Sequence, residues 1–425
     1  MCAHLGETSF YPTPSSGRIV LRFWACQPNE TLRHTVPALQ AMLLRSGQHP
    51  LDIAFAAVCS GNEDAAIKAL PMIIKESYRC RSMDLHISLT LLKQSKAVRG
   101  KIPCLESLNM TIAALRSDRE ELPSDVRSMF IDAPRLRKVT LHDVFDLGDF
   151  SIPLHITHLA SFMRKVSNLE AYQSLVECHL IAKTQPDPNF YPLHSVYLPN
   201  VRRLFVLSPD LLVYLCLPSL EDVNISCLGD MSDTRAIVLT MNEFVCRSRC
   251  TLVSLVLDHP VAFHQVFITS CVLLMDSLIS LDVTPCRNVE VGFLIDALVS
   301  PEFLPRLQHV SLPEFDLLWD PLPTMLRIRS QYLRTVKIYG ITPYDIDRSN
   351  QRLALLWPSG LPIVVSVEQS DFWHVISYFG NFECFFFFLT LYFYAATRNL
   401  CTETWWRLPV ACLVAKVLYI GMFIL

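Results

Sequence analysis

One short pattern recurs along this chain and limits what it can fold into. It reads apolar, two variable residues, apolar, one variable residue, apolar. It appears at Leu105, Leu108 and Met110, and again at Leu136, Val139 and Leu141. Weaker copies follow at Ile156 with Leu159 and at Leu175, Cys178 and Leu180. Clear ones resume at Val201, Leu220, Leu252, Leu278, Leu307 and Leu333. The fourth pattern position falls at 108, 139, 159, 178, 204, 223, 255, 281, 310 and 336, so the steps run from 19 to 32 residues. Leucine-rich repeats have units of about 20–29 residues. The last two apolar positions alternate, as a short strand with one buried face requires. A single unit cannot bury that face, but stacked units can. The expected fold is therefore α/β: a leucine-rich-repeat-like solenoid of short parallel strands and return helices, followed by a hydrophobic C-terminal tail. The competing arrangement is an ordinary α/β protein with parallel strands, which has no need of the three-residue spacing.

The spacers fit a return leg. Residues 159–167, 234–247, 261–275 and 289–299 carry apolar residues at helical spacing without proline. The first overlaps the weak copy at Ile156, so that copy could be helix instead. Pro103, Pro134, Pro199, Pro218 and Pro305 each stand two residues before a first apolar position, where proline ends a helix and sets an extended approach. Upstream, strands are expected at 51–55 and 83–87, with a helix over 64–78 interrupted near Pro71. Another helix is expected over 36–45, with Thr35 as its cap and Pro37 in its first turn.

Composition narrows the function classes. Of 425 residues, 51% are hydrophobic and 18% charged, with a formal net charge of −3. That excludes a disordered chain and gives no overall basic field for nucleic acid. Twelve glycines against 27 prolines leave little room for glycine-rich phosphate loops, and no Walker, dinucleotide or nucleophile-elbow motif occurs. The 15 cysteines are an odd number at irregular spacing, so no disulfide framework is implied. The start of the chain does not read as a signal peptide. A reducing intracellular location, cytoplasmic or nuclear, follows as the expectation.

The hydrophobicity is uneven. The mean hydropathy of +0.31 is raised by residues 376–425, whose only charges are Glu383, Arg398, Glu403, Arg407 and Lys416. Residues 376–397 contain one charge and are long enough to cross a bilayer as a helix. Residues 408–425 are at the lower limit, and Trp405 and Trp406 lie between the two runs, where interfacial aromatics are expected. The alternatives are a buried hairpin and a tail without selected structure. The expected organisation is an irregular N-terminus over 1–30, the repeat domain over 31–345, a linker over 346–375 and the tail, a possible transmembrane hairpin, over 376–425.

Several runs resemble one family in a shared order. These are LQAMLLRSG at 39–47 with HPLDI at 49–53, IKESYRC at 74–80 with MDL at 83–85, APRLRKVTL at 133–141 and SLVEC at 174–178. The chain resembles the divergent fungal F-box/leucine-rich-repeat-like proteins over about residues 20–340. That resemblance implies that the repeats receive a substrate protein and that an N-terminal F-box docks on the adaptor of a cullin-type ubiquitin ligase. No segment before Thr31 shows the leucine-proline start and helices of an F-box, so adaptor docking is not expected of this form.

No catalytic constellation stands out, and the expectation is a non-enzymatic protein with no cofactor and no metal. Asp143, Asp146 and Asp149 do not match a calcium loop. His155, His158, Cys178 and His179 lack the second paired motif a structural zinc needs. Cys246 and Cys250 lie beside Arg247 and Arg249, which could depress a thiol pKa, but one buried and one exposed cysteine is the simpler reading. Arg202 with Arg203 is too isolated for a nucleic-acid stripe.

If the repeat is real, the variable residue between the last two apolar positions points away from the core. That row is Asn109, Thr140, Ala160, His179, Phe205, Asn224, Val256, Asp282, Ser311 and Lys337. A next row adds His142, Asp258, Thr284 and Tyr339. These side chains are expected on one concave surface that binds a protein target. The runner-up is a scaffold held to a membrane by the tail.

Overall fold

The structure is a computed structural model. It describes residues 10–13, 18–24, 29–57, 63–113, 122–143, 150–163, 166–182, 194–226, 234–258, 275–283, 292–313, 321–340 and 364–369. All of these belong to one compact unit, Thr8–Ser370. A second unit comprises Met1–Glu7 and Asp371–Leu425, and it lies outside the described residues.

The strands are β1 (Phe10–Thr13), β2 (Arg18–Trp24), β3 (Leu51–Ala57), β4 (Cys80–Ser88), β5 (Ser107–Ala113), β6 (Lys138–Asp143), β7 (His158–Met163) and β8 (Glu177–Ala182). They continue with β9 (Val196–Tyr197), β10 (Arg203–Val206), β11 (Leu215–Cys216), β12 (Asp222–Ser226) and β13 (Ser254–Asp258). The last are β14 (Ser280–Val283), β15 (His309–Pro313), β16 (Thr335–Gly340) and β17 (Val364–Gln369). Among the described residues, β9 and β11 form a small parallel pair and the other fifteen form one sheet in chain order. Among these described strands only β1 runs antiparallel to its neighbour. Parallel neighbours cannot be joined by a tight hairpin, so each strand is followed by a return segment.

The recurrent pattern is the core of this sheet. Leu108, Val139, Leu159, Cys178, Leu204, Val223, Leu255, Leu281, Val310 and Val336 are successive partners from β5 to β16. None of these ten, nor any of the ten first positions from Leu105 to Leu333, is more than 3% exposed. The two variable residues between them have a defined task. The carbonyl of Glu106 accepts from the N–H groups of Arg137 and Lys138, and that of Arg137 from those of Thr157 and His158. The same fork recurs at Thr157, Val176, Arg202, Glu221, Val253, Ile279 and Gln308. The three-residue spacing thus accommodates two consecutive N–H groups, the second of them on the strand's first residue, that reach one carbonyl of the preceding segment.

The prolines are placed by a turn. Leu105 donates to Ile102 O, Leu136 to Ala133 O, Leu220 to Leu217 O and Leu307 to Leu304 O. Pro103, Pro134, Pro218 and Pro305 therefore sit second in a four-residue turn, where their fixed φ is favourable and no N–H is needed. They close a turn onto the first apolar position, which is a more specific role than ending a helix.

Four expectations need correction. The sheet extends past both limits of 31–345: β2 lies within 1–30, where Ile19, Leu21 and Phe23 alternate, and β17 lies within 346–375. The helix expected to start at residue 36 is α1 (Asn29–Arg45), so Thr35 is not its cap and Pro37 lies inside it. The helix α2 (Glu63–Lys75) continues through Pro71. Residues 158–163 are strand β7, not helix, because Leu159 and Met163 are buried while Ala160 and Phe162 are half-buried, a period of two. The helices expected near 234–247 and 289–299 are present as α3 (Thr234–Ser248) and α4 (Gly292–Val299). A further helix, α5 (Pro321–Ile328), precedes β16. Nearly all of 261–275 lies outside the described residues, as does the whole tail at 376–425. Among the described residues no helix is long and apolar enough to cross a membrane.

Three buried or half-buried arginines bind consecutive units together. Arg79 is 5% exposed and donates to His49 O at 2.9 Å, Leu43 O at 3.2 Å and Ser46 Oγ at 2.8 Å. Glu76 accepts from its Nε at 2.9 Å. The Arg45-Ser46-Gly47 run gains its meaning here: Ser46 is fully buried under Arg79, and Gly47 takes φ +53 to end α1. Arg247, at the end of α3, donates to Leu212 O at 2.6 Å and Leu215 O at 3.1 Å. Arg329, 1% exposed, donates to Leu298 O at 2.5 Å, Ser300 O at 2.5 Å, Leu304 O at 3.0 Å and Phe303 O. In each case the guanidinium satisfies carbonyls where the previous unit's return leg ends, groups that a helix end leaves without partners.

Candidate functional site

Strand register aligns the variable residues into rows on the face opposite the core. Arg22, Ala54, Asp84, Asn109, Thr140, Ala160, His179, Phe205, Asn224, Val256, Asp282, Ser311, Lys337 and Ser366 are successive partners across β2 to β17. The ten residues expected on one face thus form one unbroken line, extended at both ends. Of the second row, His142 pairs with Thr111, Asp258 with Ser226 and Tyr339 with Pro313. Thr284 lies outside the described residues.

Exposure along these rows is unequal. Asn109, Thr140, His179, Asn224, Asp282 and Lys337 are half-buried. Phe205 is 6% exposed and His142 only 3%, so neither offers much surface to a partner. His86, Thr111 and His142 are register neighbours across β4, β5 and β6, and all three are buried. Burial lowers the pKa of both histidines to about 4, and at His142 the nearby His86 adds to the effect. Both imidazoles are therefore neutral at physiological pH. Polar acceptors also collect here. Asn109 Oδ1 and Thr111 Oγ1 are buried without a hydrogen-bond partner among the described residues, as is Asn224 Oδ1 farther along.

The centre of the face is organised around Glu177. His179 stacks on Phe205 with ring centroids 5.5 Å apart and planes at 25°. Glu177 Oε1 lies 2.9 Å from His179 Nε2, and Glu177 Oε2 lies 3.5 Å from Arg203. Burial alone would raise the Glu177 carboxyl, but His179, His158 and Arg203 outweigh it and hold the pKa below the usual range. Arg203 also approaches Asp222 at 3.4 Å. The two acids are its register partners on either side, a cross-strand arrangement that fixes the guanidinium over the sheet.

The candidate chemical clusters do not assemble. Among the described residues no group of three histidines, cysteines or acids could hold a metal. Asp146 and Asp149 lie outside the described residues, and Asp143 ends β6. Cys246 is exposed and Cys250 partly buried, and burial pushes the Cys250 thiol up to about 11 rather than down. Arg247 is occupied by the carbonyls described above. The arginines that join the units were not legible from sequence, since arginine is normally a surface residue. The only available signal was their position one unit beyond a return leg. No protein-family model matches the chain, and no curated protein matches it.

Proposed function

We propose that the chain is a non-enzymatic interaction protein, built as a leucine-rich-repeat-like solenoid, that receives a protein target on the variable face of its sheet. The observation that carries this reading is the unbroken register of one variable residue per strand from β2 to β17. Such a row offers many independently changeable contacts on a stiff, hydrogen-bonded frame, which suits recognition better than catalysis. The mixture of half-buried imidazole, amide, acidic and basic side chains in that row, at His179, Asn109, Asn224, Asp282 and Lys337, agrees with it. The resemblance to F-box/leucine-rich-repeat-like proteins makes the substrate-recognition part of a ubiquitin-ligase receptor the specific form of this proposal.

Affinity purification of the full chain tests it. Asn224→Arg with Lys337→Glu is expected to remove at least one protein recovered with the wild type. Recovery of the ligase adaptor with the wild type supports ligase membership, and its absence from the intact chain's partners rejects ligase membership for this form. An identical set of recovered proteins from both chains defeats the reading.

A second reading rests on the tail. The single charge within 376–397 favours a scaffold attached to a membrane. Carbonate extraction of cell membranes then leaves the chain in the pellet, and its release into the soluble fraction rejects the anchor.

A further inference from the structure

Among the described residues, the start of β6 carries three cations without acidic partners. Arg135, Arg137 and Lys138 are all exposed, and none makes an ion pair among the described residues. The reason lies in the register. Glu106 is the acid nearest to Arg137 along the sheet, but Arg81 already holds it with contacts of 2.7, 2.9 and 3.2 Å. Arg137 donates instead to a carbonyl, His155 O, at 3.3 Å. Lys138 pairs in register with His158, then comes Glu177, then Arg203. Glu177 is taken by His179 and Arg203. Among the described residues the cations at β6 therefore lack the counter-charge that Arg81 in β4 and Arg203 in β10 possess.

We propose that Arg135, Arg137 and Lys138 form a docking patch for an acidic segment of the protein target. This rests on the reading of the sheet as a recognition face and names the chemistry of its partner. An exposed cation without a counter-charge is free to pair with a carboxylate, and carboxylates meet arginine in a bidentate fork. A nucleic acid fits less well. A phosphate backbone needs an uninterrupted cationic track, whereas Glu177, Glu221 and Asp222 interrupt this one, and the chain is net negative.

The probe is a fluorescein-labelled peptide of alternating aspartate and glycine, titrated with the full chain and followed by anisotropy. Wild type is expected to bind it, more weakly as salt rises. Arg137→Glu with Lys138→Glu is expected to weaken binding about tenfold or more. Both residues are exposed, so an unchanged thermal midpoint shows that the variant is folded. Equal binding by wild type and variant overturns the proposal. So does a labelled single-stranded oligonucleotide that binds at least as tightly as the peptide. Failure of the underlying reading looks different. If Asn224→Arg with Lys337→Glu still recovers every protein, the recognition face is wrong whatever the peptide does. If that variant loses its partner while the charge-reversed chain binds peptide normally, only this inference falls.

Discussion

Arg329→Met lowers the free energy of unfolding by about 3 kcal/mol or more, measured by urea denaturation of the full chain. The guanidinium is 1% exposed and donates to four carbonyls, those of Leu298, Ser300, Phe303 and Leu304. A buried acceptor that loses its donor costs about 1–3 kcal/mol. Methionine fills much of the volume but supplies no donor. Arg329→Lys rescues little, because one ammonium on a flexible stem cannot reach four carbonyls arranged around a planar fork. Burial lowers the Arg329 pKa, but the group stays charged at any pH used in the assay. A loss below about 1 kcal/mol would show that water replaces the fork. Such a result would also remove the argument that the arginines hold neighbouring units together.

Acid weakens the fold through His86 and His142. Both have folded pKa values near 4, below the ordinary 6.5. Between these values the unfolded chain binds more protons than the folded one, so stability rises with pH. The contribution is fully present above pH 6.5 and is lost as pH falls toward 4. The limit is about 1.4 kcal/mol per histidine for each pH unit crossed. Urea midpoints taken from pH 7 to pH 4.5 are expected to fall steeply, and His86→Gln with His142→Gln is expected to flatten that slope. An unchanged slope in the double variant would place the acid sensitivity elsewhere. Glu177 titrates separately: its depressed pKa makes its contribution disappear only below the usual carboxylate range.

How much of this was readable beforehand depends on the type of interaction. The ten fourth positions from Leu108 to Val336 were identified by spacing alone, and each is a core partner of the next. That success has a local cause. Strand alternation is a two-residue property, and the two-residue gap before it is set by adjacent N–H groups, so both leave a short-range mark. The row from Asn109 to Lys337 follows from the same alternation. The helix boundaries were less readable. Pro37 and Pro71 suggested a start and an interruption, yet α1 and α2 run through both, because tertiary packing of Leu39, Leu43, Leu70 and Ile73 outweighs a local preference.

The sequence by itself determined the short parallel strands and the alternation of buried and outward residues along them, since these depend on residues close together in the chain. Only the tertiary structure decided which polar groups are buried and which charges lack partners. Arg329 reaches carbonyls 25 to 31 residues away, and Arg81 takes Glu106 from Arg137 across 25 residues. Burial and charge pairing are properties of neighbours in space. A local pattern can say that a position faces outward, but not what waits for it there.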